Sequence, residues 1–338
     1  MSFARVGIVG LGLIGGSLAK LIREVFPETH IVGVSRNPFV RDTAVAEGTL
    51  SAASSDISAL AEMDLVIVAT PIDVIVDTVR QLQEILAPSA LITDVASVKR
   101  DIVAALSASA KPSQKEGFSK GLRPLTPVSE AGVQGLASST LFSGEASGVQ
   151  GAKPLDHKNI FSEAEPREKA LFIGGHPMAG KEVAGYAASE AAMFKGATYV
   201  LMPSEDPRRD TFRHWLLALG FRVVDMSPAD HDQAVGLASH GPYLMACLTA
   251  DVLLKSPYGE SGKQLISSGF RDTTRVACSP TEWGTAVCLD NADAVLSFLK
   301  SVSADITTLS DLIASKDATA LTSYFEAIAV QRRGLFPQ

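Results

Sequence analysis

An α/β fold class, with a doubly wound and mainly parallel sheet followed by an all-α second domain, is predicted from three observations on this 338-residue sequence. Short apolar runs alternate with amphipathic stretches through the first part of the chain, the pattern of strands joined by crossover helices. A glycine-rich turn, Gly10-Leu11-Gly12-Leu13-Ile14-Gly15, separates the first apolar run from the first helical pattern. From Ser227 the strand signal stops, and long stretches with helical spacing follow.

The strands are expected at Val6–Val9, Ile31–Val34, Leu65–Ala69, Ala90–Thr93, Ala170–Ile173, Tyr199–Met202 and Phe221–Val224. Helices are expected at about Ile14–Glu24, after Pro71, after Ser97 and across Arg208–Leu219. Residues Lys111–Lys169 are rich in Ser, Gly, Pro and Lys and lack periodicity, so they read as a flexible insertion at 111–169. Asp230–Lys255, Asn291–Ile313 and Lys316–Val330 carry more apolar positions than one amphipathic stripe needs, which predicts burial in a larger core or against another subunit. The domains are therefore expected at 1–226, a dinucleotide-binding unit, and 227–338, a helical substrate and dimerisation unit, giving a homodimer.

The balance of 46% hydrophobic and 20% charged residues is that of a globular protein. A net charge of −7 and the lack of a basic stripe with interleaved aromatics exclude a broad nucleic-acid face. No run approaches the length of a membrane helix. Cys247, Cys278 and Cys288 show no Cys-x-x-Cys spacing, which argues against a disulfide framework or a zinc site and for a reducing compartment. The apolar run after Arg5 is broken by glycines and reads as a first strand, not a signal peptide. A cytoplasmic protein is expected, or one of the plastid stroma if the source is a photosynthetic eukaryote.

The glycine turn has the flanks of a Rossmann dinucleotide site. Gly10 permits the tight turn, Gly12 the approach of the pyrophosphate, and Gly15 the packing of helix on strand. The helix N-terminus, with Leu13 and Ile14, offers N–H groups and a positive dipole end to the phosphates. At the tip of the second strand an Asp or Glu would hold the ribose hydroxyls of NAD and repel a 2′-phosphate. This sequence has Ser35-Arg36-Asn37 instead. Arg36 can stack on adenine and pair with the phosphate, with Ser35 and Asn37 as neutral donors, so NADP is the expected cofactor. Thr70 and Pro71, beyond the strand Leu65–Ala69, complete the expected cofactor contacts.

Four further segments cluster polar groups among small residues: Thr93–Lys99 (TDVASVK), Gly174–Gly180 (GGHPMAG), Asp230 to His240, and Ser267–Arg275 (SSGFRDTTR). Each alone has a structural account, as a turn cap, a helix start or a surface charge. The spacing of His176, His231 and His240 matches no local metal-ligand pattern, and no metal is expected. With the glycine turn, these segments resemble the prephenate/arogenate dehydrogenase family across nearly the whole chain apart from the insertion. They are most similar to the NADP-dependent arogenate dehydrogenases of cyanobacterial type.

The resemblance implies oxidation of a ring C4 hydroxyl with loss of the C1 carboxylate as carbon dioxide, hydride passing to the nicotinamide as the ring becomes a phenol. It implies that His176 accepts the hydroxyl proton, that Ser97 bonds the same hydroxyl and helps to orient His176, and that Arg275 clamps a substrate carboxylate. His231 and His240 match family positions lining the pocket. Tyr243 stands where some prephenate-using relatives carry a histidine. A phenol brings no positive charge, which suits the ammonium group of arogenate, with Glu182 and Asp232 as candidate acids for it. The small-molecule substrate implied is thus arogenate, converted to tyrosine, with prephenate, converted to 4-hydroxyphenylpyruvate, as the alternative. An enzyme acting on a β-hydroxy acid or imine would usually show a lysine in the helix of Ala234–Thr249, and none is there. A non-catalytic NADP-responsive binding protein would have a broken catalytic set, whereas Ser97, His176 and Arg275 are all present. If tyrosine inhibits, the active site is where it is expected to act.

Overall fold

The short N-terminal apolar runs are realised as a sheet buried on both faces. The computed structural model describes residues 3–107 and 168–336, so the insertion expected at 111–169 lies, but for Glu168 and Lys169, outside the described residues. The first stretch contains β1 (Arg5–Val9), α1 (Leu13–Val25), β2 (His30–Val34), α2 (Pro38–Ala46), β3 (Ala52–Ser54), β4 (Leu65–Val68), α3 (Ile75–Ile85), β5 (Leu91–Asp94) and α4 (Arg100–Ser107). Then follow β6 (Leu171–Ile173), β7 (Gly175–Pro177), β8 (Thr198–Leu201), α5 (Arg208–Ala218) and β9 (Arg222–Asp225).

Six strands form one sheet in the order β3-β2-β1-β4-β5-β6, with every pairing parallel. This is the doubly wound order in which the chain reverses direction between β1 and β4, and the crevice there is where such sheets bind ligands. Val6 and Ile8 of β1 and Leu65 and Ile67 of β4 point to one layer, against α1 and α5. Val66 and Val68 of β4 point to the other, against Ile75, Val79 and Leu82 of α3. Each strand thus feeds two hydrophobic layers, which is why these runs are apolar at nearly every position.

Strands β7, β8 and β9 form a second sheet, antiparallel between β7 and β8 and parallel between β8 and β9. Two strands escaped the sequence reading. β3 (AAS) and β7 (GHP) have only three residues each, too few to show an alternation.

Beyond β9 the described chain is helical: α6 (Pro228–Val235), α7 (Gly241–Lys255), α8 (Gly259–Gln264), α9 (Ser268–Thr274), α10 (Thr281–Asp290), α11 (Ala292–Ser315) and α12 (Ala318–Leu335). Helix α6 starts under a Ser227 cap whose side chain accepts from the Asp230 N–H, with Pro228 in the first turn. One π-helical turn, Gly236–His240, joins α6 to α7. Such turns widen the helix and re-aim the side chains after them. No described helix is long and apolar enough to cross a membrane.

Candidate active site

The glycine turn leaves β1 and enters α1 directly. Gly10 has φ 95°, a left-handed conformation that favours glycine, and a Cβ there would run into the carbonyl of Ala69 at the end of β4. Gly12, the N-cap of α1, is different: a Cβ on it would meet no atom within 4 Å. That open cradle, facing the unpaired N–H groups of the first turn, fits a pyrophosphate. Close by, the buried Thr70 Oγ1 has no hydrogen-bond partner among the described residues, so it is available to a bound cofactor.

At the tip of β2, Ser35 and Asn37 shape the loop. The Asn37 side chain caps α2 by accepting from the Phe39 N–H at 3.0 Å, and Ser35 Oγ accepts from the Asn37 N–H at 3.3 Å. Arg36 is exposed, and its guanidinium makes no hydrogen bond or ion pair with another described residue. Arg41, which the sequence reading missed, donates from Nη1 to the carbonyls of Ser35 at 2.7 Å and Arg36 at 3.1 Å. It fixes the loop and adds a second cation beside it.

The polar centre lies where β5, β7, α4 and α6 meet. Asp94, at the end of β5, accepts from the N–H groups of Ala96 (3.0 Å) and Gly175 (3.1 Å) and pairs with the ammonium of Lys99. Both side chains of this ion pair are fully buried. The pair ties the TDVASVK segment to the strand carrying His176. Burial pulls the Lys99 ammonium below its ordinary pKa, and the charge and hydrogen bond of Asp94 oppose that pull.

His176, on β7, is buried, and its Nδ1 lies 2.8 Å from Nε2 of His231 on α6. His231 Nδ1 in turn lies 2.8 Å from Asp232 Oδ1. Asp232 also accepts from the Lys99 N–H (2.7 Å, on Oδ1) and from the Arg100 N–H (2.9 Å, on Oδ2) at the start of α4. A carboxylate at a helix N-terminus is favoured by the unpaired N–H groups and the dipole. Burial alone would raise the pKa of Asp232. The hydrogen bonds from His231, Arg100 and Lys99 outweigh it, so the carboxyl titrates below its ordinary value. For His176, burial and the positive charge of Lys99, followed by His231 and His240, push the pKa well below 6.5, and the ring is neutral at working pH.

A second chain of contacts comes from the helices. Asn291, between α10 and α11, donates from Nδ2 to the Asp232 carbonyl at 2.7 Å and lies 3.2 Å from His240 Nδ1. An amide NH₂ can only donate, so His240 accepts at Nδ1 and carries its proton on Nε2. That Nε2 is buried without a partner among the described residues. Burial lowers the pKa of His240 to about 4, against a partial restoring effect of Asp232. Trp283 of α10 donates its indole N–H to Ser97 Oγ at 3.2 Å and packs edge-on against Tyr243, 5.1 Å between centroids, and His240, 6.1 Å.

The structure therefore brings His176, His231, Asp232 and His240 into one network, and Ser97, Trp283 and Tyr243 into another that meets it at His240. Three expectations meet a different arrangement. Ser97 makes no hydrogen bond to His176 among the described residues: its hydroxyl accepts from Trp283, while His231 holds the histidine. Asp232 is not available to an ammonium group, because it is buried and already holds three donors. Glu182 is paired with Arg275, so the acid offered for the ammonium and the arginine offered for a carboxylate are partners of each other. Lys99, Asn291 and Trp283 were not singled out by the sequence reading. A tryptophan in a polar helical region was the one signal, since a buried indole N–H needs an acceptor. Among the described residues no cluster could hold a metal ion.

A doubly wound sheet with an open phosphate cradle, and a neutral histidine where sheet and helices meet, defines a dehydrogenase of the Rossmann class that uses a nicotinamide cofactor. The family model described as prephenate dehydrogenase, nucleotide-binding domain, matches residues 18–145 and 157–221, and that of the prephenate dehydrogenase dimerization domain matches 227–327. The chain belongs to the prephenate/arogenate dehydrogenase family. The prephenate dehydrogenase of Lactococcus lactis subsp. cremoris is 26% identical over 326 residues, covering 95% of this chain and 75% of that protein. The crystal structure of Synechocystis arogenate dehydrogenase is 29% identical with a TM-score of 0.70, covering 98% of this chain and 99% of that one. The prephenate dehydrogenase of A. aeolicus, in complex with hydroxyphenyl propionate and NAD+, shares the fold at a TM-score of 0.75 and 24% identity, covering 99% of each chain.

Proposed function

We propose that the protein is an NADP-dependent arogenate dehydrogenase that converts L-arogenate to L-tyrosine and carbon dioxide. The observation that carries the reading is a buried, neutral His176 whose Nδ1 is engaged by His231, leaving Nε2 to receive the proton of the substrate's C4 hydroxyl. As the C4–O–H proton passes to Nε2, the C1–carboxylate bond breaks and its electrons complete the aromatic ring. NADP, when bound, takes the hydride from C4. Ser97, accepting from Trp283, keeps its own O–H free to donate toward the substrate. Arg275, exposed beside Glu182, exchanges that partner for a substrate carboxylate. Tyr243 and the neutral His240 line the pocket with uncharged groups, which favours a substrate bearing an ammonium over one bearing a keto acid.

The NADP reading is supported by two arginines, Arg36 and Arg41, at the tip of β2 and by the absence of a carboxylate at residues 35–37. The domain limits 1–226 and 227–338 and a homodimer belong to the same proposal. The dimer is supported by the match to a dimerization domain and by large apolar side chains exposed on α7 and α12, such as Val252 at 71% and Val330 at 61%. A cytoplasmic location is supported by three free cysteines. Prephenate is the second reading, favoured by the L. lactis relative. Formation of NADPH or NADH by absorbance, with arogenate and prephenate supplied in turn, tests the proposal. Arogenate with NADP is expected to give the highest kcat/KM. Turnover of prephenate alone supports the second reading, and cofactor binding without turnover of either overturns both.

A further inference from the structure

Asp232 is buried, and its carboxylate ties the start of α4 to its own neighbour His231. One oxygen is held by the Lys99 N–H and by His231, the other by the Arg100 N–H. Its backbone carbonyl is held by Asn291. The side chain is buried and cannot turn away without breaking the start of α4.

This fixed geometry has a protonic consequence. An ionised carboxylate only accepts hydrogen bonds, so His231 presents Nδ1–H to Asp232. A neutral His231 then has its lone pair on Nε2, 2.8 Å from His176 Nδ1. Two lone pairs cannot face each other at that distance, so His176 carries its proton on Nδ1. The lone pair of His176 is thereby left on Nε2, the nitrogen that makes no hydrogen bond to another described residue.

We propose that Asp232 and His231 form a positioning relay that fixes His176 in its Nδ1–H tautomer, so that Nε2 is always the proton acceptor. The relay rests on the reading of His176 as the base given above. In hydrolase triads a carboxylate acts on the catalytic imidazole directly. Here a second imidazole stands between them and carries the same instruction from α6 to β7. The proton taken from the substrate hydroxyl rests on Nε2, passes no further into the relay, and returns to the phenolate oxygen as the phenol forms. His231 and Asp232 keep their own protonation states, and the carboxylate stabilises the imidazolium formed.

The chain holds six histidines, so the imidazole ¹⁵N resonances of the full-length protein are assignable by single replacements. Long-range ¹H–¹⁵N spectra of the wild type are expected to show His176 protonated at Nδ1. In Asp232→Asn the charge is gone and the amide NH₂ must face either the Lys99 or the Arg100 N–H, so His231 is no longer held in one tautomer. His176 is then expected to show a mixture of tautomers, with kcat lowered by about 10–10²-fold and the KM within about twofold. His231→Phe keeps the Asp232 contacts to α4, and in it His176 is expected to show a mixture of tautomers and a lower kcat. It decides the matter if Asp232→Asn does not fold. A wild-type His176 protonated at Nε2, or an unchanged His176 tautomer in both variants, overturns the relay. The spectra need no substrate. If neither cyclohexadienyl acid is turned over while the tautomer shifts as expected, the reading of the reaction fails and the relay stands.

Discussion

The two halves of the candidate site are built from different materials. The cofactor end, from β1 through α1 to the tip of β2, is made mostly of backbone: an open cradle at Gly12, a helix N-terminus, and side chains at residues 35–37 that reach outward or cap their own loop. The catalytic seam is made of side chains from segments far apart in sequence, buried and joined by charge. Asp232 reaches Lys99 across 133 positions, and Trp283 reaches Ser97 across 186. Side-chain changes at the first end should therefore alter binding and spare folding. Changes at the second should alter both, since a buried polar network loses heavily when one member goes.

The largest effect on stability is expected at the Lys99–Asp94 pair. Lys99→Met leaves a carboxylate buried without its cation, which typically costs about 3–5 kcal/mol. The N–H groups of Ala96 and Gly175 remain on Asp94, so the lower end of that range is expected, read as a shift in the urea midpoint. A loss under about 1 kcal/mol would break the contrast between the two ends.

Acid should act on the same seam. His240 has a folded-state pKa of about 4, below the ordinary 6.5, and burial and the charge of Lys99 lower that of His176 as well. Below 6.5 the unfolded chain binds protons that the folded one refuses. Stability is thus complete above about pH 6.5 and is lost as the pH falls toward 4, by roughly 3 kcal/mol for His240 alone. Chemical denaturation at stepped pH reads this directly, and His240→Asn should flatten the slope between pH 4 and 6.5.

The smallest effect belongs to the cofactor end. Ser35→Asp combined with Arg36→Gln removes a cation and adds a repelling charge. Loss of one charge-assisted hydrogen bond, about 1.5–3 kcal/mol, corresponds to roughly a 10–100-fold fall in preference for NADP over NAD. The urea midpoint should not move. An unchanged NADP/NAD ratio would remove the contact assigned to Arg36.

The same contrast decides what was legible in the sequence. The glycine turn, the parallel strands and the helical second part could be read because each depends on residues close together in the chain. Arg41 was missed because α2 was missed, although Asn37-Pro38 is a cap followed by a first-turn proline and signals a helix start. His176 and His231 were singled out, but not as partners. They lie 55 positions apart, on a strand of three residues and a helix, and no periodicity joins them. Asp232 was given the wrong task for the same reason: nothing local tells that its oxygens are taken by the N–H groups of a remote helix. Asn291 left no signal at all. An asparagine between two helices reads as a turn residue, and only the fold makes it the donor that fixes His240.

The central claim is that His176 takes a proton in the chemical step and nothing in cofactor binding. Single-turnover formation of NADPH from arogenate by His176→Asn, beside an NADP titration of the same variant, tests it most directly. A fall in rate of about 10²–10⁴-fold with an unchanged dissociation constant for NADP is expected. A near-normal rate, or a loss confined to NADP affinity, would contradict it.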